Sequence, residues 1–334
     1  MRRLQEKLQP TQPIWYDFSA GRLIIVWTMK QNFTLISRID GLGLSVLAVM
    51  PDTQPKAVIQ FSHGVCGCKE RFLPVMEYMA QRGVACVAGD HRGHGGSIKS
   101  PRDLGYMYKG GYKALVDDMR LVTEWVRSKF PHTPLYLLGH SMGSMAARVY
   151  VKYDDSAIDG LVICGSPSLQ PSYRMARFIT GLLCMLGLGH YRMSFSQRIT
   201  SDRYNRSFAG EGEQAWTCSD PQVRQRFSEM PSCNFVLTAN GSYNLMSLMG
   251  ETYDHVPWAV KNPALPIHFI SGEDDPVMIT EEKFHKSAQH ICDRGYTNVT
   301  SAIYPAMRHE VLNEIGKEQV WDDILEFVCP NTGV

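Results

Sequence analysis

Short apolar runs rich in β-branched residues alternate with longer stretches of helical spacing along most of this chain. Such alternation predicts a mostly parallel sheet with helices on both faces, because parallel neighbours need crossovers that helices supply. Eight strands are predicted, over 33–37, 44–50, 57–61, 84–88, 135–138, 160–164, 267–270 and 299–304. Asp40-Gly41 between the first two marks an antiparallel hairpin at the edge of the sheet. Helical spacing fills the intervals, over 70–82, 112–130, 141–153, 281–292 and 317–328.

The rhythm breaks between residues 168 and 263, a gap too long for a plain connection. It holds two helix-like apolar clusters, first Phe178, Ile179, Leu182, Leu183, Met185 and Leu186, then Leu245, Met246, Leu248 and Met249. Because strand–helix alternation resumes afterwards, 168–263 reads as a helical cap inserted into one core rather than as an unrelated domain. The core is then 33–167 together with 264–334, and residues 1–32 form an N-terminal extension with no assigned role.

Composition narrows the function classes. The 334 residues carry 34 basic and 33 acidic side chains, so no charge excess points to nucleic acid as a partner. Nine scattered cysteines, several inside apolar runs, suit a reducing compartment better than a disulfide framework. The first apolar run, Leu23 to Trp27, is too short for a secretory signal. The longest, Phe178 to Leu188, is too short to span a bilayer and suits a buried or interfacial segment. These features predict a cytoplasmic protein; oligomeric state is not legible.

The chemistry centres on Gly139-His140-Ser141-Met142-Gly143. This G-x-S-x-G follows an apolar strand and opens a helical run, the context a nucleophile elbow requires. Gly139 and Gly143 allow a tight turn and close backbones. A serine hydroxyl needs a base, and an acid to orient that base. The acid belongs after a strand's C-terminal end, where Glu273-Asp274-Asp275-Pro276 stands. Asp275 is preferred because a residue before proline is held extended; Asp274 stays open as the alternative. Of the histidines that follow, His285 and His290 fall on a helical run, whereas His309 lies just past the last strand and is the predicted base. In the loop after the third strand, Ser62-His63-Gly64-Val65, the Val65 amide and the amide of Met142 are the expected oxyanion donors. Gly64 permits close approach there, and His63 is read as a neutral loop-shaping ring. Cys66, Cys68 and His63 superficially resemble metal ligands, but no second pair completes a zinc spacing, so neither metal nor cofactor is expected. The run from Asp90 to Gly95 is read as shaping the loop beneath the site.

Ser62-His63-Gly64, Asp90-His91-Arg92-Gly93-His94-Gly95-Gly96-Ser97, Gly139-His140-Ser141-Met142-Gly143 and Arg308-His309-Glu310 together resemble the monoacylglycerol lipase and lysophospholipase branch of the α/β-hydrolases, grouped with the serine aminopeptidase-like enzymes. Ala215-Trp216, Ser219-Asp220-Pro221 and Cys233-Asn234-Phe235 extend the likeness into the cap. The resemblance implies an α/β-hydrolase fold, with Ser141 as nucleophile, Asp275 as acid, His309 as base, and Val65 and Met142 as oxyanion donors. Ser144 departs from it, standing where the family usually repeats a glycine.

The expected activity is hydrolysis of a carboxylic ester with a lipophilic acyl chain, through an acyl-enzyme on Ser141. A cap rich in methionine, leucine and phenylalanine suits an adaptable apolar pocket, and segment 178–188 can also touch a membrane surface. A thioesterase or aminopeptidase-like amidase on the same residues stays open, and so does a catalytically silent binding protein of this fold.

Overall fold

The computed structural model describes residues 28–330 continuously, together with the strand segments Gln9–Thr11 (β1), Ile14–Asp17 (β2) and Arg22–Ile25 (β3). Of the N-terminal extension, residues 1–8, 12–13, 18–21 and 26–27 lie outside the described residues, as do 331–334 at the other end.

All eight predicted strands are present, as β4 (Thr28–Ile36), β5 (Gly43–Met50), β6 (Ala57–Ser62), β7 (Val84–Gly89), β8 (Leu135–His140), β9 (Gly160–Cys164), β10 (Ile267–Gly272) and β11 (Val299–Tyr304). They lie in the order β4-β5-β7-β6-β8-β9-β10-β11, and β1 adds a ninth, antiparallel strand beside β4. The β4–β5 hairpin and the β5–β7 pair are antiparallel, and every pairing from β7 to β11 is parallel. The segments β2 and β3 form a separate antiparallel pair.

The central strands read as unbroken apolar runs because both faces of the sheet are covered. Along β6 and β9, Val58, Leu161 and Ile163 point to one layer, while Ile59, Phe61, Val162 and Cys164 point to the other. The first layer is built by α2 (Gly111–Lys129), α3 (Met142–Tyr153) and α8 (Glu281–Cys292). The second is built by α1 (Leu73–Gln81) and α9 (Lys317–Val328). Gln60 is a polar group buried in the first layer, donating from Nε2 to the Met119 carbonyl at 2.9 Å and accepting from Thr123 Oγ1 at 2.8 Å.

Between β9 and β10 the chain forms α4 (Tyr173–Met185), α5 (Ser194–Asn205), α6 (Pro221–Ser228) and α7 (Ala239–Thr252). The two apolar clusters read from the sequence have different fates. Leu248 and Met249 of α7 are buried in the core, whereas Met175, Phe178, Met185 and Leu186 on and beside α4 face solvent. No helix among the described residues is long and apolar enough to cross a membrane. The loops after β6, β8, β10 and β11 meet at the C-terminal edge of the sheet, where ligands bind in open parallel sheets.

Candidate active site

Ser141 sits between β8 and α3 at φ 55° and ψ −118°, a backbone region that side-chain-bearing residues rarely enter. Such a conformation costs about 1–3 kcal/mol and persists only where surrounding contacts enforce it. Here the Ser141 amide donates to the Cys164 carbonyl at 2.9 Å, and the Ser141 carbonyl accepts from the Ser144 amide at 3.0 Å. The Ser144 hydroxyl donates to that same carbonyl at 2.6 Å, so the residue that departs from the expected glycine helps hold the turn. A Cβ at Gly139 would lie 2.3 Å from the Gly143 carbonyl oxygen, and one at Gly143 2.0 Å from that of Ser62. Both positions therefore exclude a side chain.

The three acids after β10 separate cleanly. Glu273 and Asp274 are exposed, while Asp275 is 2 % exposed and turned inward. One Asp275 oxygen accepts from the Val277 amide at 2.8 Å; the other accepts from Ser271 Oγ at 3.2 Å and from His309 Nδ1 at 2.9 Å. Because a carboxylate only accepts, Nδ1 of His309 carries the proton and Nε2 is left as the basic nitrogen. Burial pulls the His309 pKa down, but the Asp275 carboxylate outweighs it, so the ring titrates above its ordinary 6.5. The ring lies against Gly165, where an added Cβ would meet it at 3.2 Å, next to the Cys164 carbonyl that anchors Ser141. His140 Nε2 donates to the His309 carbonyl at 3.1 Å and fixes the loop from the serine's side.

Gly64 brings the loop after β6 onto the serine, since a Cβ there would stand 3.0 Å from Ser141 Cβ. Val65 follows it, and among the described residues its amide has no hydrogen-bond acceptor. Met142 is the first residue of α3, so its amide lacks an intrahelical acceptor. The helix N-terminus adds positive potential at the same point. His63 shapes this loop: Nδ1 donates to the Gly64 carbonyl at 2.8 Å and Nε2 accepts the His91 amide at 2.9 Å, which requires a neutral ring.

The Asp90–Ser97 stretch lies beneath. Asp90 accepts from the Lys69 amide, Lys69 Nζ and the Gly96 amide, each at 2.8 Å. Buried Arg92 pairs with Asp118 at 2.8 Å and Asp40 at 3.1 Å. His91 Nε2 lies 3.0 Å from Ser62 Oγ, and His94 Nδ1 donates to the Arg92 carbonyl at 3.1 Å. These contacts tie the stretch to the loop after β6 and to α2.

Several residues at the site are given no role of their own by the sequence. Glu310, next to His309, is buried and pairs with Arg71 at 2.6 Å. Burial pushes its carboxyl up, but Arg71, helped by His140 and His309, holds it down at about 2. Trp216, from the stretch between β9 and β10, lies over the His309 ring at 5.3 Å between centroids and is itself packed by Tyr204. Arg308 donates to the Ala215 carbonyl and to Glu211, both at 2.7 Å. Glu314 accepts from the amides of Ser219 at 2.8 Å and Arg308 at 3.0 Å. The histidine loop is therefore gripped by the core on one side and by residues 211–219 on the other.

Four buried rings around the site are held neutral, chiefly by desolvation. His91 is lowered to about 3, His94 and His140 to about 4, and His63 well below 6.5. The unfolded chain takes up these protons near pH 6.5 while the folded protein resists. The stability they contribute is present above pH 6.5 and lost as pH falls toward about 4. His309 acts oppositely, its contribution being full below pH 6.5 and lost as pH rises through its raised pKa. Four rings outweigh one, so the urea midpoint is expected to be lower at about pH 5 than at about pH 7.5. Equal midpoints would contradict neutral burial of these rings.

Residues 53–316 match the family model for serine aminopeptidase, S33. The chain belongs to this family of α/β-hydrolases. Within it, the S33 chain is 23 % identical over 282 residues to a monoacylglycerol lipase of Mycolicibacterium smegmatis, covering 83 % of this chain and 90 % of that one. It is 26 % identical over 187 residues to the monoglyceride lipase of Rattus norvegicus, covering 52 % and 59 % respectively. Its fold matches a thermostable carboxyl esterase from Bacillus coagulans solved with glycerol, at a TM-score of 0.80 and 24 % identity over 90 % of this chain and 97 % of that one. It also matches a soluble variant of the Saccharomyces cerevisiae monoglyceride lipase solved with a substrate analogue, at a TM-score of 0.67 and 17 % identity over 89 % and 95 %. The S33 chain is thus an α/β-hydrolase that is similar to monoacylglycerol lipases.

Proposed function

We propose that this protein is a serine hydrolase that cleaves carboxylic esters of lipophilic acyl chains through an acyl-enzyme on Ser141. The observation that carries the reading is the 2.9 Å His309–Asp275 contact, buried beside a serine held at positive φ. In this reading His309 Nε2 takes the Ser141 proton as the hydroxyl oxygen attacks the ester carbonyl. The tetrahedral oxyanion rests on the Val65 and Met142 amides, each such donor contributing about 3 kcal/mol. Asp275 stabilises the imidazolium, which then protonates the departing alcohol. Water activated by the same ring releases the acid. No step calls on a metal or organic cofactor.

Two relatives and one structural neighbour named above are monoacylglycerol or monoglyceride lipases and another neighbour is a carboxyl esterase, which supports an acyl ester as the substrate class. We take residues 168–263 as the cap over a core formed by 33–167 and 264–334. Phe178 at 68 % exposure, Met185 at 78 % and Phe195 at 79 % give the cap an apolar outer face suited to transient contact with a lipid surface. Cysteines buried in apolar surroundings, such as Cys86 and Cys164, support a reducing, cytoplasmic setting.

Two measurements test this. A fluorophosphonate probe is expected to label Ser141 in the folded protein; absence of labelling would favour a silent binding protein. Across p-nitrophenyl esters from two to sixteen carbons, kcat/KM is expected to rise from acetate to a medium or long chain, each buried methylene contributing roughly 0.8 kcal/mol. A preference for acetate would remove the lipid assignment, and faster turnover of a matched thioester or amide would redirect it.

A further inference from the structure

Two sulfur atoms meet where the inserted segment touches the core. Cys68 ends the loop that carries Gly64 and Val65, and its Sγ lies 3.1 Å from Sγ of Cys233, in the stretch joining α6 to α7. Both are free thiols; Cys68 is buried and Cys233 half-buried. The Ser232 hydroxyl donates to Cys68 Sγ at 3.5 Å, and Arg71 stands close by, stacked on Phe227 of α6 at 4.1 Å.

The neighbourhood sorts its thiols. The two thiols share one hydrogen bond in which either sulfur can donate; with the Cys68 S–H as donor it holds Cys233 below the usual thiol range, with burial opposing and the Arg71 guanidinium assisting. Burial pushes Cys66 up to about 12, and its S–H donates to the Phe235 carbonyl at 3.3 Å. Cys66 is therefore kept as a thiol, although it lies only two residues from Cys68.

We propose that Cys68 and Cys233 are a peroxide-reactive pair that closes into a disulfide and clamps the inserted segment to the loop bearing Val65. The Cys233 thiolate attacks one oxygen of a hydroperoxide, forming an S–O bond as the O–O bond breaks, and the leaving oxygen takes up a proton. Cys68 then attacks the sulfenyl sulfur. The S–O bond breaks, the S–S bond forms, and the hydroxide leaves as water with the Cys68 proton. Two thiols are oxidised and one peroxide is reduced, with two waters released when the oxidant is hydrogen peroxide. The site stands independently of the esterase reading, because its product is covalent and is read directly.

The test uses the full chain, reduced, freed of reductant, exposed to hydrogen peroxide, alkylated, digested and analysed by mass spectrometry. The expected product is a Cys68–Cys233 cross-linked peptide, two hydrogens lighter and restored by dithiothreitol. It should form at least about tenfold faster than any oxidation of Cys184 or Cys292, two half-buried thiols with no sulfur partner among the described residues. Cys233→Ser should abolish it, Cys66→Ser should leave it intact, and Cys68→Ser should leave a dimedone-trappable sulfenic acid on Cys233. Should Cys68→Ser fail to fold, Cys233→Ser at the half-buried position and the wild-type cross-link carry the test. A wild-type digest without the cross-link, a cross-link through Cys66, or Cys233 oxidising at the rate of Cys184 would overturn the proposal.

Discussion

Exchanging Ser141 for glycine is expected to abolish ester turnover and, at the same time, to make the protein more stable. Loss of a nucleophile of this kind lowers kcat by about 10⁴- to 10⁶-fold. The stability gain comes from the backbone. At φ 55° and ψ −118° a side chain is strained, and glycine enters that region freely. Relief of about 1–3 kcal/mol is partly offset by the roughly 0.5–1 kcal/mol that glycine's freer unfolded chain costs. The net is about 1 kcal/mol, readable as a higher urea midpoint. Ser141→Ala should be equally inactive but should not gain, because alanine carries the same Cβ. An alanine variant retaining a few per cent of wild-type kcat would show that another group attacks the ester. A glycine variant no more stable than the alanine one would show that the elbow holds no strain.

The second large effect is expected at Asp275. Asparagine keeps the size of the side chain but presents its amide or carbonyl to His309 without a charge, and kcat should fall about 10⁴-fold. The pH profile should move as well. The Asp275 carboxylate raises the His309 pKa against burial, so the acid limb of residual activity should shift to lower pH once that charge is removed. Asp274→Asn, at an exposed position one residue away, should stay within about twofold of wild type. Reversed outcomes for the two variants would reassign the acid to Asp274.

Much of the frame was legible because it is local. Apolar runs covered on both faces read as strands from their own residues, and Gly139–Gly143 read as an elbow from the strand before it and the helix after it. The choice of Asp275 over Asp274 rested on the proline that follows, and in the fold Asp275 alone of the acid run is turned inward to His309. The rest is non-local. Nothing near Glu310 announces that Arg71 will neutralise it, and nothing near Trp216 announces that its ring will cover His309. For α4 the sequence left burial and an interfacial face both open. The same leucine, methionine and phenylalanine spacing serves burial or exposure, and the surface it meets decides which. The ninth strand was missed because Gln9–Thr11 is three residues long with no apolar alternation to mark it.

The grip of residues 211–219 on the histidine loop bears on how such a molecule can diversify. Arg308 reaches Ala215 and Glu211, Glu314 reaches Ser219, and Trp216 rests on the imidazole. On the proposed reading, residues 211–219 are tied to the chemistry, while the outer turns of α4 face solvent. On the same reading, change in the outer turns of α4 leaves the His309–Asp275 contact undisturbed. The inner stretch must change in step with the loop it embraces.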